Sequence, residues 1–415
     1  MRSVEDHLAR VTAAAVAPRP VRVGISEAQG LMCAEEVVVE NALPAFDQAA
    51  IDGYAVRSVD VADAGATDEE TGEQIVVTLP VVGEVRAGNR QPIRLQPGQA
   101  VKVETGAPLP TLADAVLPDK WTDGGLSKVK VGHSVRSGQY VRRTGDDVQP
   151  GDVAVRRGTV VGPAQVGLLA AVGKDKVSVH PRPRVAVISV GRELVDIDRE
   201  TGAGQVYDVA SYARAAAARD CGAEVHRVGI VSGDQAQLHD AVEAQLQRSE
   251  VVIITSSLGG TASDEITAAL ADLGDLAVER IAMHPASVQG FGALGPDEVP
   301  TFLLPSNPMS ALVAFEVMVR PLVRIALGKR QPMRRLVTAK SAASFESPAG
   351  RRGYVRGQLM RDEDSGEFMV APIPDNGSHL LVSLAEANCL IVVDPEVTEV
   401  RAGDDVVVAF LAQRG

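Results

Sequence analysis

Residues 185–194 read VAVISVGREL, and residues 251–260 read VVIITSSLGG. Each stretch begins with a continuous run of apolar, mostly β-branched residues and then passes into a glycine-containing loop. A continuous apolar run of this length is typical of a strand that is buried on both faces of a sheet. These two stretches therefore predict two buried strands, each followed by a loop at its carboxyl end.

Strand and helix patterns alternate around these two runs. Further strands are predicted at 224–231 and 301–304, and helices at 210–220, 235–246, 264–273 and 309–327. Repeated alternation of this kind predicts a mostly parallel sheet with helices on both faces. We therefore expect a doubly wound α/β domain from about Val185 to Gly328.

The rest of the chain follows a different pattern. Residues 45–147 contain short β-rich runs separated by Gly and Pro, which predicts a small all-β module. Residues 181–183 (PRP) read as a linker, and short β segments return from Pro332 onward. Residues 3–15 are predicted to form a helix with Ser3 as its N-cap. A chain of 415 residues with these patterns divides into several structural units.

The composition disfavours several functions. The formal net charge of −13 disfavours nonspecific binding to nucleic acid, and an anionic substrate would require local positive potential. The three cysteines, Cys33, Cys221 and Cys389, lie far apart and do not have the spacing of a zinc site. Acidic residues stand at the N-terminus where a signal peptide needs an apolar run, and no run of 18 apolar residues occurs. We therefore expect a cytoplasmic protein without membrane insertion.

Ligands of open α/β sheets bind outside the carboxyl ends of the strands. Four loops are predicted there, at 189–194, 255–265, 283–287 and 304–311. Helix N-termini direct free N–H groups and a positive dipole toward such a site, so an anion such as phosphate is the expected ligand.

The first three of these loops also have structural interpretations. Glu193 in the first loop could bind a metal or act as a base, or it could be incidental. The hydroxyls and paired glycines of the second loop suit an anion, while Ser263 or Asp264 could simply cap the next helix. His284 is the only histidine of the third loop, and an isolated histidine is more often a surface or core residue than a catalyst.

The fourth loop has the most distinctive sequence. Asn307 suits a helix N-cap and Pro308 the first helical turn. A helix start would not also need Pro305, so the two prolines suggest a loop that presents its atoms at fixed positions.

Several further motifs are weak individually and strong when taken together and in order. They are DGYA at 52–55, TGAP at 105–108, Gly145 with Asp147, Gly191 with Glu193 and Leu194, GIV at 229–231 with Asp234, Pro305 with Asn307, Pro308 and Ser310, and GSH at 377–379. On these motifs the whole chain resembles the molybdopterin molybdenumtransferase family, which includes bacterial MoeA and the E domain of gephyrin.

The resemblance implies an elongated, multi-domain α/β chain of four subdomains. They are subdomain I (18–44 and 148–181), a β-rich insertion as subdomain II (45–147), a doubly wound α/β, molybdopterin-binding-like subdomain III (1–17 and 182–328), and a C-terminal β-barrel as subdomain IV (329–415). The resemblance also implies a head-to-head homodimer, with each site in a cleft between subdomain III of one chain and subdomain II of the other.

The implied activity is the insertion of molybdate into adenylylated molybdopterin, with release of AMP and assistance from Mg²⁺. Carried over by position, Asp52 is the acid required for adenylate hydrolysis, and Glu193 is a second catalytic residue that would bind the metal together with Asp234. The implied substrate-binding residues are Thr105, Asp147, Asp234, Glu265, Pro305, Asn307, Pro308, Ser310, Arg356 and Ser378. Of these, Pro305, Pro308, Arg356 and Ser378 would line the molybdate side.

Some positions depart from the family pattern. Ser257 and Leu258 stand where the family has a Gly pair, residues 284–286 (HPA) where it has Lys-Pro-Gly, and Ser306 where it has Gly. In the first loop, Val190 and Arg192 replace the usual Thr and Asn or Asp. At position 284, a lysine that is always charged near neutral pH is replaced by a histidine, whose ordinary pKa is ~6.5. We expect these changes to cluster on the pterin-phosphate side, where they would weaken or abolish the activity.

The alternative is a non-catalytic, dimeric scaffold similar to the gephyrin E domain. Such a scaffold would bind a peptide of a cytoskeletal or cell-division protein in a groove between subdomains III and IV. Leu8, Tyr354 and Pro395 would line this groove. Plain packing is the other interpretation of Leu8 and Tyr354.

Overall fold

The structure is a computed structural model that describes residues 1–415 except 91–92, 233, 259–260, 363–365, 374–379 and 412–415. The side chains of residues 380, 381 and 383 are likewise not described. The chain forms two compact units. The first unit is Met1–Val21 with His180–Gly415, and the second unit is Arg22–Val179. The four subdomain boundaries given above remain a prediction.

The chain begins with helix α1 (Val4–Ala13), whose N-cap Ser3 accepts a hydrogen bond from the backbone N–H of Asp6, as predicted. The elements that follow, up to the end of the second unit, are β1 (Val21–Gly24), β2 (Met32–Cys33), β3 (Val37–Val38), β4 (Gln48–Ala49), β5 (Gly53–Val56), β6 (Val77–Val85), β7 (Ala100–Val103), β8 (Ala115–Pro118), β9 (Lys128–Val131), β10 (Val141–Arg142), β11 (Val153–Val155), α2 (Pro163–Ala171) and β12 (Lys176–His180). Two short 3₁₀ helices, Ser58–Val61 and Asp119–Trp121, lie among them.

A five-stranded sheet in the order β8-β5-β7-β6-β9 forms the centre of the second unit. Its strand β5 begins at Gly53, the second residue of the DGYA motif, and Tyr54 and Ala55 are fully buried. Tyr54 donates a hydrogen bond to the carbonyl of Gly125, with 3.2 Å between the oxygens. A Cβ at Gly53 would lie 1.9 Å from the carbonyl oxygen of Leu117 on β8. Glycine is therefore required at position 53 for the two strands to pair.

The elements of the first unit after β12 are β13 (Arg184–Val190), β14 (Leu194–Val195), β15 (Val206–Tyr207), α3 (Val209–Asp220), β16 (Glu224–Val231), α4 (Gln235–Leu246), β17 (Val251–Ser256), α5 (Thr261–Ala269), β18 (Leu276–Arg280), β19 (Met283–His284), β20 (Val288–Leu294), β21 (Val299–Pro305), α6 (Pro308–Ala314), α7 (Arg320–Ala326), β22 (Leu336–Ser341), β23 (Phe345–Glu346), β24 (Arg352–Arg361), β25 (Phe368–Pro372), α8 (Leu380–Glu386), β26 (Cys389–Val393), β27 (Glu399–Val400) and β28 (Asp405–Phe410). A π-helical turn, Phe315–Val319, joins α6 to α7.

The predicted α/β sheet is present, with the strand order β16-β13-β17-β21-β20-β18. Its first four strands are parallel, and β20 is antiparallel to both β21 and β18. Strand β18 therefore runs in the same direction as the parallel strands, and its carboxyl end lies on the same side of the sheet as theirs. The sequence analysis predicted neither β18 nor β20, and in β20 glycines at 290 and 292 interrupt the apolar pattern. In the structure, those glycines let neighbouring strands approach closely: a Cβ at Gly292 would lie 2.1 Å from the carbonyl oxygen of Asp275.

Helices cover both faces of this sheet. Val185 and Val187 of β13 belong to a buried cluster with residues of α1, α6 and α7, whereas Ala186 and Ile188 belong to a second cluster with residues of α4 and α5. Alternate residues of one strand thus serve two cores, which explains the continuous apolar run in the sequence.

Two helix boundaries differ from prediction. Helix α5 begins at Thr261, so Ser263 and Asp264 lie inside the helix and do not cap it. The single helix predicted at 309–327 contains the π-helical turn just before Pro321. Proline lacks the backbone N–H and its ring collides with the carbonyl four residues earlier in a regular helix. The widened turn accommodates Pro321 without ending the helix.

The C-terminal part of the first unit is a closed β-barrel, as predicted. Its five strands pair in the ring β24-β25-β22-β28-β26, and β26 pairs back to β24. The short strand β19 adds to the beginning of β24. Within the described part of the chain, no helix is both long enough and apolar enough to cross a membrane.

Candidate functional site

A cavity of about 270 Å³ lies at the carboxyl ends of β13 and β17, where the sequence predicted an anion site. We call it the sheet-edge cavity. It is lined by Val190, Gly191, Arg192, Glu193, Gln235, Leu238, Ser256, Ser257, Ala262, Glu265 and Ile266. Two predicted site residues, Glu193 and Glu265, are thus brought together with the hydroxyls of Ser256 and Ser257. The cavity offers carboxylate and hydroxyl oxygens beside the first turns of α4 and α5.

The position of Glu193 is determined by its neighbours. The Val206 N–H donates a hydrogen bond of 2.8 Å to the Glu193 carbonyl, which fixes the backbone. A Cβ at Gly191 would lie 2.8 Å from Oε2 of Glu193, so glycine leaves the space that the carboxylate occupies. Both contacts are compatible with the Gly-x-Glu spacing of the loop.

Asp208 fixes the far end of the same loop, and the sequence analysis missed it. Its carboxylate is fully buried and accepts hydrogen bonds from the Ser189 hydroxyl at 2.8 Å and from the Ser211 N–H at 3.0 Å. Its backbone N–H donates to the carbonyl of Val195 at 2.9 Å. Asp208 thereby caps α3 and joins the loop to the end of β13. Its position two residues before the helix predicted at 210–220 was the signal that could have identified it.

Asp234, predicted to bind metal, caps helix α4. Its Oδ1 accepts a hydrogen bond of 3.0 Å from the Gln237 N–H. Asp234 does not line the sheet-edge cavity, although the next residue, Gln235, does. Among the described residues, one cluster of three potential metal ligands has its ligand atoms within 4.8 Å of one another: His239, Asp240 and Glu243. This cluster contains neither Glu193 nor Asp234.

A second cavity, of about 600 Å³, lies between the α/β sheet and the barrel of the first unit. We call it the barrel cavity. It is lined by His284, Pro285, Asn307, Met309, Ser310, Ala343, Ser344, Phe345, Glu346, Ser347, Pro348, Tyr354, Val355, Arg356, Pro372 and Ile373. Three predicted substrate-binding residues, Asn307, Ser310 and Arg356, are therefore brought together. Arg356 supplies a cation that is almost completely buried, with 3% of its surface exposed.

The loop that holds Asn307 is built as predicted. Asn307 caps α6 by accepting a hydrogen bond of 3.0 Å from the Ser310 N–H, and Pro308 is the first helical residue. Pro305 ends β21, and its register partner is Ser256 at the end of β17. Neither Pro305 nor Pro308 is among the residues that line the two cavities. Ser378, the remaining residue predicted for the molybdate side, lies outside the described residues.

In the second unit, Asp52 and Thr105 are in direct contact. Oδ1 of Asp52 accepts hydrogen bonds from the backbone N–H of Thr105 at 2.7 Å and from its hydroxyl at 2.8 Å. These two hydrogen bonds, that from the backbone N–H first, hold the pKa of the exposed Asp52 carboxyl below its ordinary value. Asp52 is thus an ionised carboxylate near neutral pH.

Asp147 lies in a separate contact. Its carboxylate forms an ion pair with Arg142, with 2.5 Å between Nη2 and Oδ2. Its backbone N–H donates to the carbonyl of Leu43 at 2.9 Å. Among the described hydrogen bonds and ion pairs, none joins Asp147 to Asp52 or Thr105.

The three residues predicted for a peptide groove are engaged in packing and hydrogen bonding. Leu8 is partly buried against the core cluster that includes Tyr354. Pro395 accepts a hydrogen bond of 2.8 Å from the Gly350 N–H through its carbonyl. Arg352, near these residues in the barrel, forms ion pairs with Glu5 of α1 and with Asp394.

Comparison with known proteins matches almost the whole chain. Residues 2–173 match the family model of the MoeA N-terminal region (domain I and II), residues 186–325 that of a probable molybdopterin binding domain, and residues 338–411 that of the MoeA C-terminal region (domain IV). A relative from Mycobacterium tuberculosis, "Molybdopterin molybdenumtransferase 1", is 63% identical over 429 aligned positions that cover 100% of both chains. The chain belongs to the molybdopterin molybdenumtransferase family.

Other molybdopterin molybdenumtransferases are similar over nearly the same length. A second Mycobacterium tuberculosis relative, "Molybdopterin molybdenumtransferase 2", is 38% identical and covers 97% of this chain, with 98% of its own length matched. Among solved structures, the molybdopterin biosynthesis MoeA protein from Pyrococcus horikosii superposes with a TM-score of 0.83 at 29% identity, covering 99% of each chain.

The structure shows where this chain departs from the molybdenumtransferase pattern. Leu258 packs partly buried against the core between α4 and α5, and it does not line the sheet-edge cavity. Ser306 lines neither cavity, and its N–H donates to the carbonyl of Ser256 at 2.8 Å. Ala286, where the family has Gly, keeps a left-handed backbone with φ of 67°.

His284 lies apart from Ser257 in the structure. It was grouped with Ser257 on the pterin-phosphate side, but Ser257 lines the sheet-edge cavity and His284 lines the barrel cavity with Arg356. The reason is the pairing of β19 with β24, which joins the His284 loop to the barrel. Ser257 and His284 thus line different cavities, Leu258 and Ser306 line neither, and the clustering of the departures on the pterin-phosphate side remains a prediction.

Proposed function

We propose that the chain inserts molybdate into adenylylated molybdopterin and releases AMP, as a member of its family with an active site. The observation that carries this proposal is the barrel cavity, in which the buried Arg356 lies with Asn307 and Ser310. A guanidinium with several planar N–H donors is well suited to bind a tetrahedral oxyanion.

The sheet-edge cavity supports binding of the pterin phosphate and its adenylate. Ser256 and Ser257 provide hydroxyl donors at the ends of parallel strands, which is the usual location of ligands in such sheets. Leu258 and Ser306 leave this cavity free, so neither substitution argues against activity.

Mg²⁺ fits the donors of the sheet-edge cavity. Mg²⁺ in proteins is usually held by one or two carboxylates and by substrate phosphate oxygens, and it neutralises charge on the phosphates. Glu193 and Glu265 are the carboxylates that line this cavity. Asp234 is the weaker candidate, because its Oδ1 already accepts the hydrogen bond that caps α4.

Asp52 is proposed as the acidic residue for adenylate hydrolysis, with Thr105 as its neighbour. The paired hydrogen bonds from Thr105 keep the Asp52 carboxylate ionised and directed, and leave Oδ2 available for a water molecule or a substrate group. The family resemblance assigns Asp52 to the partner chain of a homodimer. This proposal predicts a dimer in solution, which light scattering after size-exclusion chromatography measures, and activity in a mixed dimer of Asp52→Ala and Glu193→Ala chains.

The direct experiment is AMP release from molybdopterin-adenylate in the presence of molybdate and Mg²⁺. We expect activity from the purified chain and a loss of at least about tenfold in kcat/KM for Arg356→Gln, because one charged contact to the substrate is removed. Arg86→Gln is the matched control, since Arg86 is exposed and its ion pairs among the described residues are with the surface acids Glu84 and Glu104. No AMP release by the wild-type chain, together with failure to restore molybdoenzymes in cells that lack an insertase, would refute the proposal.

The scaffold interpretation receives no comparable support. Leu8 and Tyr354 contribute to the core of the first unit, and the neighbouring Arg352 is paired with Glu5 and Asp394. The relatives reported above are named as enzymes or as molybdopterin biosynthesis proteins. We therefore propose the enzyme, acting in the cytoplasm.

A further inference from the structure

Arg192 is a cation in the wall of the sheet-edge cavity that has no role in the function proposed above. It lies in the loop between β13 and β14, and its neighbours in the chain, Gly191 and Glu193, line the same cavity. Among the described lining residues, those with charged side chains are Arg192, Glu193 and Glu265. Arg192 is therefore the cation of this described lining.

The backbone on both sides of Arg192 is held in place. The Gly191 N–H donates a hydrogen bond to the carbonyl of Val231, at the end of β16, with 3.2 Å between nitrogen and oxygen. On the other side, the Glu193 carbonyl accepts the hydrogen bond of 2.8 Å from the Val206 N–H. The backbone of Arg192 is thus fixed beside the cavity, while its long side chain is exposed.

The guanidinium of Arg192 forms no hydrogen bond or ion pair with the part of the chain that the structure describes. Arg227, on the adjacent strand β16, differs in this respect. It donates hydrogen bonds to Asp196 at 2.7 Å and to the hydroxyl of Tyr212 at 2.9 Å, and so joins the segment after β14 to helix α3. Arg227 stabilises the fold, whereas the N–H donors of Arg192 are available to a ligand.

A phosphate group is the ligand that suits this guanidinium. Its planar set of N–H donors matches the geometry of phosphate oxygens, and such pairs are frequently bidentate. Ser256 and Ser257 in the same cavity offer uncharged hydroxyl donors. The carboxylates of Glu193 and Glu265 repel a phosphate unless a cation stands beside it, and Arg192 is a cation that belongs to the same wall.

We propose that Arg192 binds the diphosphate that joins molybdopterin to AMP in the adenylylated substrate, and the phosphate of AMP after its release. The inference rests on the proposed function, which assigns the adenylate to this cavity. Arg192 is then a substrate-binding residue through which the chain distinguishes a nucleotide from a nucleoside without a phosphate.

The first test is calorimetric titration of the full-length protein with AMP and with adenosine, both in the presence of Mg²⁺. We expect the wild type to bind AMP more tightly than adenosine. Arg192→Gln should weaken AMP binding by at least about tenfold, because a charge-assisted contact to the phosphate is removed. Adenosine binding should be unchanged in this variant, which also shows that the cavity is still formed.

Two further variants separate the charge from the shape of the side chain and from its location. Arg192→Lys keeps the charge and loses the planar set of donors, so its AMP affinity should be intermediate. Arg199→Gln is the matched control, because Arg199 is an exposed arginine of the next loop, between β14 and β15, and does not line the sheet-edge cavity. This control should keep the wild-type affinity for AMP.

The dependence on salt gives a readout that a structural role of Arg192 would not change. Interactions between exposed charges are screened by added salt. The AMP affinity of the wild type should therefore fall more steeply with salt concentration than that of Arg192→Gln. Adenosine binding should show no difference in salt dependence between the two proteins.

The second test is AMP release from molybdopterin-adenylate in the presence of molybdate and Mg²⁺. Arg192→Gln should raise KM by at least about tenfold, with a smaller change in kcat, because the contact is present in both the bound substrate and the transition state.

The outcomes distinguish this inference from the function on which it rests. Wild-type AMP affinity in Arg192→Gln, or equal losses of AMP and adenosine binding, overturns the role of Arg192, while AMP release by the wild type leaves the proposed function standing. A wild type that binds AMP no more tightly than adenosine likewise overturns the inference alone. A wild type that releases no AMP from the substrate overturns both. A loss confined to AMP, with the Arg199→Gln control unaffected, supports the inference.

Discussion

Gly53→Ala should destabilise the second unit strongly, because Gly53 lies where two strands touch. A Cβ at this position would lie 1.9 Å from the carbonyl oxygen of Leu117, and real Cβ contacts are not shorter than 3.0 Å. Strands β5 and β8 would have to separate to make room, at the point where Tyr54 pairs with Leu117. The φ of Gly53, 156°, is also one that favours glycine.

The expected cost combines two effects. An alanine held in such a backbone conformation costs ~1–3 kcal/mol. Separation of the strands removes about two ladder hydrogen bonds, each with a net value of about 1 kcal/mol. We therefore expect the free energy of unfolding of the second unit to fall by about 3–5 kcal/mol. A loss of this size ranks among the largest single-residue effects.

Tryptophan fluorescence during urea unfolding measures this loss. The chain has one tryptophan, Trp121, which packs against the cluster that contains Tyr54. Its ring lies 5.7 Å from that of Tyr140 and 5.5 Å from that of His133, so its emission reports unfolding of this unit.

Two glycines of the same unit serve as controls. Gly98 has a φ of 70° and no atom within 4 Å of an added Cβ, so Gly98→Ala should cost only about 1 kcal/mol of strain. Gly167, in helix α2, has open space and an ordinary φ, so Gly167→Ala should stabilise by up to about 1 kcal/mol. If Gly53→Ala costs no more than Gly98→Ala, the close approach of β5 and β8 does not determine the residue at position 53.

Three further predictions concern other parts of the chain. Burial lowers the pKa of His7 to about 4, below its value in the unfolded chain, so stability is complete above about pH 6.5 and falls by about 1.4 kcal/mol per pH unit from there toward pH 4. His7→Gln should flatten that slope in urea titrations, and an unchanged slope would assign it to other groups. Burial raises the pKa of Cys221 and Cys389 to about 12 and also raises that of the buried Cys33, so a disulfide-exchange reagent should modify no thiol in the native protein and three in urea. Asp234→Ala should lose the cap of α4 and about 1 kcal/mol of stability, whereas Asp234→Ser should keep both the cap and AMP release. A stable Asp234→Ser variant without activity would instead show that the carboxylate acts on the substrate or metal.

The sequence specified the parallel part of the α/β sheet closely. Strand β16 and helix α4 begin and end at the predicted residues, because Gly222 and Asp234 mark the ends of these elements locally. The cap at Asn307 was predicted for the same reason. Helix-capping and turn residues, together with an unbroken apolar run, are sufficient to predict the bounds of such elements.

The missed features depend on contacts that no local pattern records. Strand β20 pairs despite its glycines because those glycines let Asp275 and Leu303 approach closely. The location of His284 depends on the pairing of β19 with a barrel strand far along the chain. Motif spacing predicted that Asp52 and Thr105 belong to a site, but only the fold shows that they hydrogen-bond directly.

The closed ring of the C-terminal barrel has a consequence for self-association. A sheet edge presents unpaired N–H and C=O groups that can template another chain, whereas a closed ring has no edge. Each of the five barrel strands has two neighbours in the ring, and the beginning of β24 also pairs with β19. The α/β sheet ends in β16 and β18, and the sheet of the second unit ends in β8 and β9. Aggregation through strand addition, where it occurs during unfolding, should begin at edge strands such as these four or those of the shorter two- and three-stranded sheets, and spare the barrel ring.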